Sequence, residues 1–231
     1  MAQNSRFSIK TGLMAIGAIA LMGLGIIIYV YANVGVGSWD VLHASLAEYY
    51  PSLTIGTFSF ELTIGRWIMI VGVIIVFVSQ LIHRNPYYFL SILVGIVQGY
   101  VTDFWEMLLR KMHVIEWIQM NVLTRWLGFA IAINALGFGI SLLIRSKFPP
   151  TPIDTLTMGL FKRLNLKFSV AKYASEAIAF MTVFILNIIH GKPFNNMGIG
   201  TILSLLMIGK IVAWSDAFWV RVLRLENSPQ V

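Results

Sequence analysis

Ionisable side chains inside long apolar stretches are the first candidates for chemistry in this 231-residue chain. A charge at the centre of a membrane helix costs roughly 2.5–3.5 kcal/mol on insertion scales, so such residues usually face a bundle interior or a cavity. Five residues of this kind are present: Glu61, Arg66, Lys172, Glu176 and Lys210. Carboxylates in a poorly hydrated site bind protons more tightly than in water and can exchange them near neutral pH. Proton coupling is therefore one hypothesis for Glu61 and Glu176.

Structural ion pairing is the alternative for the same residues. Lys172 precedes Glu176 by four positions, which places both on one face of a helix. Arg66 follows Glu61 by five positions, about 140° around a helix, so it needs another partner. Lys210 is expected to find one of three carboxylates: Glu61, Glu176 or Asp216. Both interpretations stay open at this point.

Two further aspartates, Asp40 and Asp154, follow the loop signals GVGS at 35–38 and PPTP at 149–152. A carboxylate at the start of a helix interacts favourably with the helix dipole, and Ser38 could cap the first helix. The sharper hypothesis is that these helix starts line a pathway, where negative charge favours a cation or a zwitterion. Trp39 could stack on a ligand, but an interfacial aromatic belt is the favoured interpretation.

The elements that position these residues are predicted from long apolar runs. The chain is 58% hydrophobic and 12% charged, with a mean hydropathy of +0.79, whereas soluble domains carry about 25% charged residues. A soluble globule is excluded, and an all-α polytopic membrane protein is predicted. The six predicted transmembrane helices are about 12–31, 57–82, 87–109, 124–145, 168–190 and 196–219. Two stretches, about 38–49 and 152–164, are too short to cross and are expected to be interfacial or re-entrant helices.

An internal duplication relates the two halves of the single membrane domain, 1–231. At an offset of 114, the matched pairs are Gly23 with Gly137, Gly25 with Gly139, Asp40 with Asp154, Leu42 with Leu156, and Leu46 with Leu160; after one insertion, Glu61 meets Glu176. The first repeat covers about 12–109 and the second about 124–219. Because each repeat has three spans, an odd number, the two copies must be inverted in the membrane. Inverted repeats with interrupted helices are a common transporter plan.

The distribution of Lys and Arg predicts orientation. The formal charge of +7 is spread over short segments beside apolar runs, so no nucleic-acid partner is expected. If both termini are cytoplasmic, ten basic residues lie inside: Arg6, Lys10, Arg84, Arg145, Lys147, Lys162, Arg163, Lys167, Arg221 and Arg224. The loop at 110–125 has three basic residues on the other side, so an extra or missing span near it is an alternative.

Several kinds of chemistry have no support in the sequence. Cysteine is absent, which excludes disulfides and thiolate sites. The four histidines form no pair at metal-ligand spacing, and no P-loop, HExxH or GxSxG pattern occurs. We therefore expect no metal, no cofactor and no enzymatic activity.

The strings GLGIIIYVYANVGVGSWDVLHASL and LTIGTFSFELTIG resemble the signature of the YczE/YyaS/YitT family of bacterial integral membrane proteins. The second-half string ALGFGISLLIRSKFPPTPIDTLTMGL resembles a degenerate second copy, with Pro149 and Thr151 where the first copy has glycines. The resemblance implies a multi-pass protein of the bacterial plasma membrane. The family is largely without an assigned activity, so the resemblance implies architecture more than function.

The leading hypothesis is a secondary transporter or channel-like permease for a small solute, with Asp40, Glu61, Asp154 and Glu176 around a central pathway. The alternative is a non-transporting scaffold that anchors or stabilises a membrane protein partner. Association into a homo-oligomer is left open. In either case the lipid bilayer is the surrounding medium.

Overall fold

The computed structural model describes residues 9–223, and of Phe168 and Ser169 only the backbone. Arg6 and Arg224, which count in the charge argument, lie outside the described residues. Within them the protein is mostly helical, with one two-stranded hairpin. The elements below are numbered in chain order.

Six helices are long and apolar enough to cross a membrane, as the sequence predicts. They are α1 (Ile9–Ala32), α3 (Ile64–Ile82), α4 (Leu90–Lys111), α6 (Val122–Ser146), α8 (Phe168–Ile189) and α9 (Ile199–Val222). A short 3-10 turn, Pro86–Phe89, leads into α4. The chain is thus a multi-pass helical membrane protein.

The shorter elements lie between these spans. They are α2 (Ser38–Tyr49), the strands β1 (Ser52–Ile55) and β2 (Phe58–Glu61), α5 (Val114–Gln119) and α7 (Pro152–Arg163). Both short helices expected from the loop signals are present. The 110–125 segment contains only the six-residue α5, which is too short to be an extra span.

The start of the second span was predicted wrongly. The sequence suggests a helix from about 57, but β1 and β2 form an antiparallel hairpin there, and α3 begins only at Ile64. Gly56, at φ +62°, makes the turn, and the alternating residues of the strands suit a two-stranded ribbon better than a helix. Thr63 then caps α3 by accepting a hydrogen bond from the Arg66 amide. The position of Glu61 changes as a result: it lies on β2, not in a span.

The centre of the bundle is the crossing of α1 and α6. A Cβ added to Gly25 would lie 2.8 Å from Leu136 Cγ, and one added to Gly139 would lie 2.5 Å from Met22 Cγ. Each helix therefore uses a glycine to let the other approach. Gly25 and Gly139 are the residues that the internal repeat pairs with each other, so this reciprocal packing agrees with the sequence match.

The outer helices are arranged unevenly around this crossing. α4 packs on α1 and α9 packs on α6, and α3 lies along α4 with Gly65 against Gly99. Among the described residues, α8 and α9 make no comparable contact. The most apolar window of α9 is only 11% buried, against 33% for the helix that contains α4. The second half of the bundle is therefore more open than the first.

Candidate functional site where two half-length helices begin

α2 lies alongside the second half of α8. At the end of α2, the Tyr49 ring stacks on His190 with the centroids 4.0 Å apart, and its hydroxyl donates to Asn187 Oδ1 at 3.0 Å. At the start of α2, Asp40 is an electrostatic neighbour of Glu176, the ninth of 22 residues in α8. At about 1.5 Å per residue, the 12 residues of α2 cover about 18 Å. The helix thus starts at the depth of the middle of α8 and ends where α8 ends.

α7 lies alongside the second half of α3 in the same manner. A Cβ added to Gly72, near the middle of α3, would lie 3.1 Å from Pro152 Cγ, and one added to Gly95 of α4 would lie 2.8 Å from it. Farther along α7, a Cβ added to Gly159 would lie 3.7 Å from Ile82 Cγ2, at the end of α3. The ring of Tyr50, the residue after α2, contacts both His190, which follows α8, and Trp67, near the start of α3, so α3 begins where α8 ends and the two helices end at opposite ends of the bundle. The two short helices therefore begin at a common depth and extend in opposite directions.

A lysine on α8 connects two carboxylates where α7 begins. Lys172 Nζ is 3.6 Å from Asp154 Oδ1 and 3.5 Å from Glu176 Oε1. The predicted pairing of Lys172 with Glu176 is confirmed, and Asp154 joins it because α7 packs on α8. Thr151 caps α7: its hydroxyl accepts from the Asp154 amide at 3.2 Å and donates to Asp154 Oδ2 at 2.8 Å. Asp154 is therefore held by two partners.

Asp40 occupies the matching position on α2 but has no such partners. Gly37 is the N-cap residue and supplies no side-chain hydrogen bond, so the predicted Ser38 cap is wrong. Within residues 9–223, the Asp40 carboxylate makes no hydrogen bond or ion pair. Burial raises the pKa of Asp40 to about 7; the Glu176 charge adds to this shift, and Lys172 opposes it. With this pKa, Asp40 takes up and releases a proton near neutral pH.

The cluster is rich in negative charge and partly open. Asp40, Asp154 and Glu176 together with Lys172 give a net charge of −2 when all are ionised. The side chains of Lys172 and Asp154 are each 36% exposed and that of Glu176 is 19% exposed. These groups are therefore not fully enclosed by protein.

Tyr29 is a member of this region that sequence reasoning missed. It is a fully buried residue of α1 and an electrostatic neighbour of Asp40 and Glu176. Its hydroxyl donates to Ser204 of α9, whose own hydroxyl donates to the Gly200 carbonyl. The residue links α1 and α9 to the charged cluster. A tyrosine in an apolar span was the only signal that could have indicated it.

Glu61 and Arg66 lie elsewhere. Glu61 is exposed on the hairpin, and Arg66 is exposed in the first turn of α3, where its guanidinium donates to the Glu61 backbone carbonyl. The predicted placement of Glu61 across a central cavity from Glu176 is therefore wrong. The repeat match pairs the two glutamates in sequence, but the hairpin carries Glu61 outside the span.

Lys210 also lies away from the cluster. It is the twelfth of 24 residues in α9, with an exposed side chain and no ion pair among the described residues. The expectation that it pairs with a carboxylate is not met there. Asp216 instead forms a two-pronged pair with Arg145, with 2.6 Å to Nε and 2.7 Å to Nη2.

Trp39 borders an apolar cavity of about 500 Å³ between α2, α3, α7 and α8. The residue is only 6% exposed, so it does not belong to a lipid-facing aromatic belt. Its indole Nε1 is buried without a hydrogen-bond partner. In the part of the chain that the structure describes, no three His, Asp or Glu side chains converge as metal ligands.

Comparisons with known proteins identify one family and two relatives, one of which is named as a membrane protein. A family model described as "Family of unknown function (DUF6198)" matches residues 9–217. The chain is 25% identical over 197 residues to "Uncharacterized protein YyaS" of Bacillus subtilis (strain 168), covering 84% of this chain and 86% of the relative. It is 23% identical over 181 residues to "Uncharacterized membrane protein YczE" of the same organism, covering 78% and 73%. No solved structure matches the chain.

Proposed function

Because the chain belongs to this YczE/YyaS-like family of unknown function, its activity has to be inferred from the site, and we propose that it is a proton-coupled secondary transporter of a small solute. One observation carries the proposal. Asp40 is an unpaired carboxylate at the start of a half-length helix, beside the pair of carboxylates that Lys172 neutralises only in part. Unpaired ionisable groups at membrane depth typically mark ion or substrate pathways.

The arrangement of the short helices supports a transporter over a passive anchor. α2 and α7 begin at a common depth and extend toward opposite faces, as expected of two inverted repeats with re-entrant helices. Irregular backbone at membrane depth is tolerated where protein shields it or where it faces a water-filled cavity. In this proposal, the loops before α2 and α7 are such places. The excess of basic residues at one end of the bundle favours cytoplasmic termini in a bacterial plasma membrane.

Asp40 is the coupling residue in the proposed mechanism, and Lys172 the fixed counter-charge. With Asp40 protonated, the cluster has a net charge of −1, and with Asp40 ionised it has −2. A solute that prefers one of these states is bound or released as the proton moves. The charged groups that act on Asp40 are Glu176 and Lys172 from α8, and Tyr29 from α1 is an electrostatic neighbour of both Asp40 and Glu176.

The test is solute-driven proton movement in proteoliposomes. Purified protein with a pH-sensitive dye trapped inside the vesicles is exposed to a panel of small amines, amino acids and organic acids. We expect at least one solute to change the internal pH, and Asp40→Asn to abolish that change. Glu48→Gln, at the far end of α2, is the matched control and should retain it. Solute-driven proton flux that persists in Asp40→Asn would contradict the proposal.

Stability measurements separate a lost proton site from a lost fold. A carboxyl group whose pKa is raised in the folded state keeps its proton there, so the free energy of unfolding falls as pH rises from about 4 to about 7. Asp40→Asn removes this slope. Thermal unfolding of the variant should therefore be less dependent on pH than that of the wild type, and the variant should be at least as stable at pH 8.

A scaffold is the second candidate, and Lys210 is the observation that favours it. An exposed lysine halfway along a span is costly in lipid unless a partner supplies a carboxylate. In this case the cluster at Asp40 has a structural role only. Proton flux that is insensitive to every solute, together with stable co-purification of one membrane protein that Lys210→Met abolishes, would favour the scaffold.

A further inference from the structure

The walls of the apolar cavity are two membrane spans, α3 and α8, which make no extensive contact with each other in the described residues. On α3 the lining runs from Trp67 to Val78, and on α8 it runs from Ile178 to Ile189. Each wall is thus 11 residues long, about 17 Å at about 1.5 Å per residue. Ile178 is the eleventh of the 22 residues of α8, and Ile189 is the last. The cavity therefore extends from the middle of this span to its end.

The lining of the cavity gives water nothing to bind. Apart from Trp39, Trp67 and Thr182, every lining side chain is Leu, Ile or Val. The Thr182 hydroxyl donates to the Ile178 carbonyl at 2.7 Å, and the Trp67 indole donates to the Tyr50 carbonyl at 3.3 Å. A water molecule in a protein cavity needs two to four polar partners. Because these are missing, the cavity suits hydrocarbon.

The shape of the cavity selects the kind of hydrocarbon. A volume of about 500 Å³ over about 17 Å of length gives a mean cross-section of about 30 Å². An α-helix about 10 Å across has a cross-section of about 80 Å², so a helix from another protein is too wide. Ile74 of α3 and Ile185 of α8 line the cavity and are both more than half exposed. The cavity is thus a slot, open sideways to lipid, for one extended hydrocarbon chain.

The depth of the cavity matches one leaflet of a bilayer. The hydrocarbon core is about 30 Å thick, so the chains of one leaflet cover about 15 Å, close to the about 17 Å of the cavity. At its outer end, the Tyr50 ring contacts both Trp67 and His190. Tryptophan and tyrosine are enriched where the hydrocarbon meets the headgroups. A chain that follows the cavity therefore begins at headgroup level and ends near the midplane.

We propose that the cavity binds one acyl chain of a phospholipid from the leaflet at the end of α8. The carbonyl end of the chain lies beside Trp67, and its methyl end lies beside Trp39. Between them the chain covers Leu42 and Leu46 of α2, which also line the cavity. Lipid thus completes the packing of α2 between α3 and α8. The inference is independent of the proposed function, because it needs none of the charged groups.

Quenching of tryptophan fluorescence by brominated lipid tests this site. The full chain is placed in phosphatidylcholine nanodiscs, one protein per disc, with bromine either on the terminal half of one acyl chain or next to its carbonyl. The emission of Trp39 is the difference between the wild type and Trp39→Phe in the same lipid. Trp39 is only 6% exposed, so bulk lipid has little access to it outside the cavity. We expect terminal bromine to reduce this emission to about half or less, and bromine next to the carbonyl to reduce it far less.

Variants that fill the cavity identify the route of the quencher. Thr182→Phe adds a ring to the wall formed by α8, and Met181→Phe is its matched control, because Met181 is also exposed on α8 but does not line the cavity. Val71→Phe and Ile70→Phe form the same kind of pair on α3. Each is measured with and without Trp39→Phe. We expect the two cavity-filling variants to restore Trp39 emission and the two controls to remain quenched.

Three results would overturn the inference. The first is Trp39 emission that is equal in brominated and unbrominated discs, because then no acyl chain enters the cavity. The second is quenching that persists in both Thr182→Phe and Val71→Phe, since bromine would then reach Trp39 by another route. The third is quenching that is present with one protein per disc and lost with two, which would assign the cavity to a second copy of the chain. Solute-driven proton flux tests the proposed function separately from all three.

Discussion

The starts of α2 and α7 occupy matched positions in the two halves but are stabilised differently. At α7, Thr151 caps the helix and Lys172 pairs with Asp154. At α2, Gly37 supplies no side-chain cap, and Asp40 has no described partner. Asp154 is thus held by two partners, while the Asp40 carboxylate has none among the described residues. The same residue type at matched positions does not imply the same role.

A second difference between the halves concerns the outer helices. α3 and α4 pack against each other and hold Pro152 of α7 between Gly72 and Gly95. In the second half, α9 packs on α6 and leaves Lys210 exposed. The first half therefore packs closely around the start of α7, whereas α9 in the second half has a largely exposed surface.

Lys172→Met is expected to have the largest effect on stability. It leaves Asp40, Asp154 and Glu176 together without a cation, and breaking a buried ion pair costs about 3–5 kcal/mol. Because Lys172 is 36% exposed, we expect about 3 kcal/mol, measured as the free energy of unfolding in nanodiscs. The loss should shrink at acidic pH, where the carboxylates become protonated. Lys162→Met on the exposed last turn of α7 is the control, and an equal loss there would contradict the central role of Lys172.

Lys210→Met should be favourable, in contrast to the destabilising Lys172→Met. An exposed lysine near the middle of a span is unfavourable in lipid, so its removal should make the insertion of α9 more favourable by about 2.5 kcal/mol. This value is the lower end of the range for a charge at a helix centre, because the flexible lysine side chain can move toward the headgroups. The measurement is the inserted fraction of α9 in the full chain, reported by a glycosylation site placed after it. Reduced insertion or reduced stability in a purified single protein would mean that Lys210 has an internal partner.

Gly95→Ala sharpens the contrast between the enclosed and the open half. A Cβ at position 95 would lie 2.8 Å from Pro152 Cγ, so α4 and α7 would have to separate, at a cost of about 2 kcal/mol. Gly209→Ala in α9 meets no atom within 4 Å and should be neutral or stabilise the helix by up to about 1 kcal/mol. Thermal unfolding of the two variants side by side checks the difference. Equal destabilisation would show that α9 is packed as tightly as α4.

The positions of the spans could be predicted because membrane helices need long apolar runs, and these runs are continuous in the sequence. The exception is the segment before Ile64. There, apolar residues occupy every second position, Leu53 and Ile55 on β1 and Phe58 and Phe60 on β2. This short pattern is easily read as part of the apolar run that follows. A period of two residues, together with Gly56, was the signal for the hairpin. The consequence was the misplaced Glu61.

The site could be predicted only in part. The pairing of Lys172 with Glu176 follows from a spacing of four residues on one helix, which is local information. The contact of Asp154 with Lys172 depends on how α7 packs on α8, and the exposure of Lys210 depends on where α9 packs. Neither is encoded in local spacing. The repeat match pairs Asp40 with Asp154 in the sequence, but it could not reveal that only Asp154 has partners among the described residues.

Glu48→Gln, at the far end of α2, should have the smallest effect on stability, and the pH dependence of that effect should be opposite in sign to that of Asp40→Asn. Although partial burial acts to raise it, the pKa of Glu48 is lowered overall by hydrogen bonds from Lys192 and Asn195, with 2.7 Å between Lys192 Nζ and Glu48 Oε1. The stabilisation by Glu48 is therefore present above its unfolded pKa of about 4.3 and is lost as pH falls through the lower folded value. Glu48→Gln should unfold at a slightly lower temperature than the wild type at pH 7, and the difference should shrink as the carboxylate becomes protonated in acid. Because the pair is exposed, the shift should be smaller than that of any substitution above. A difference that grows in acid would show that Glu48, like Asp40, holds a proton in the folded state, and the two ends of α2 would then not be distinct.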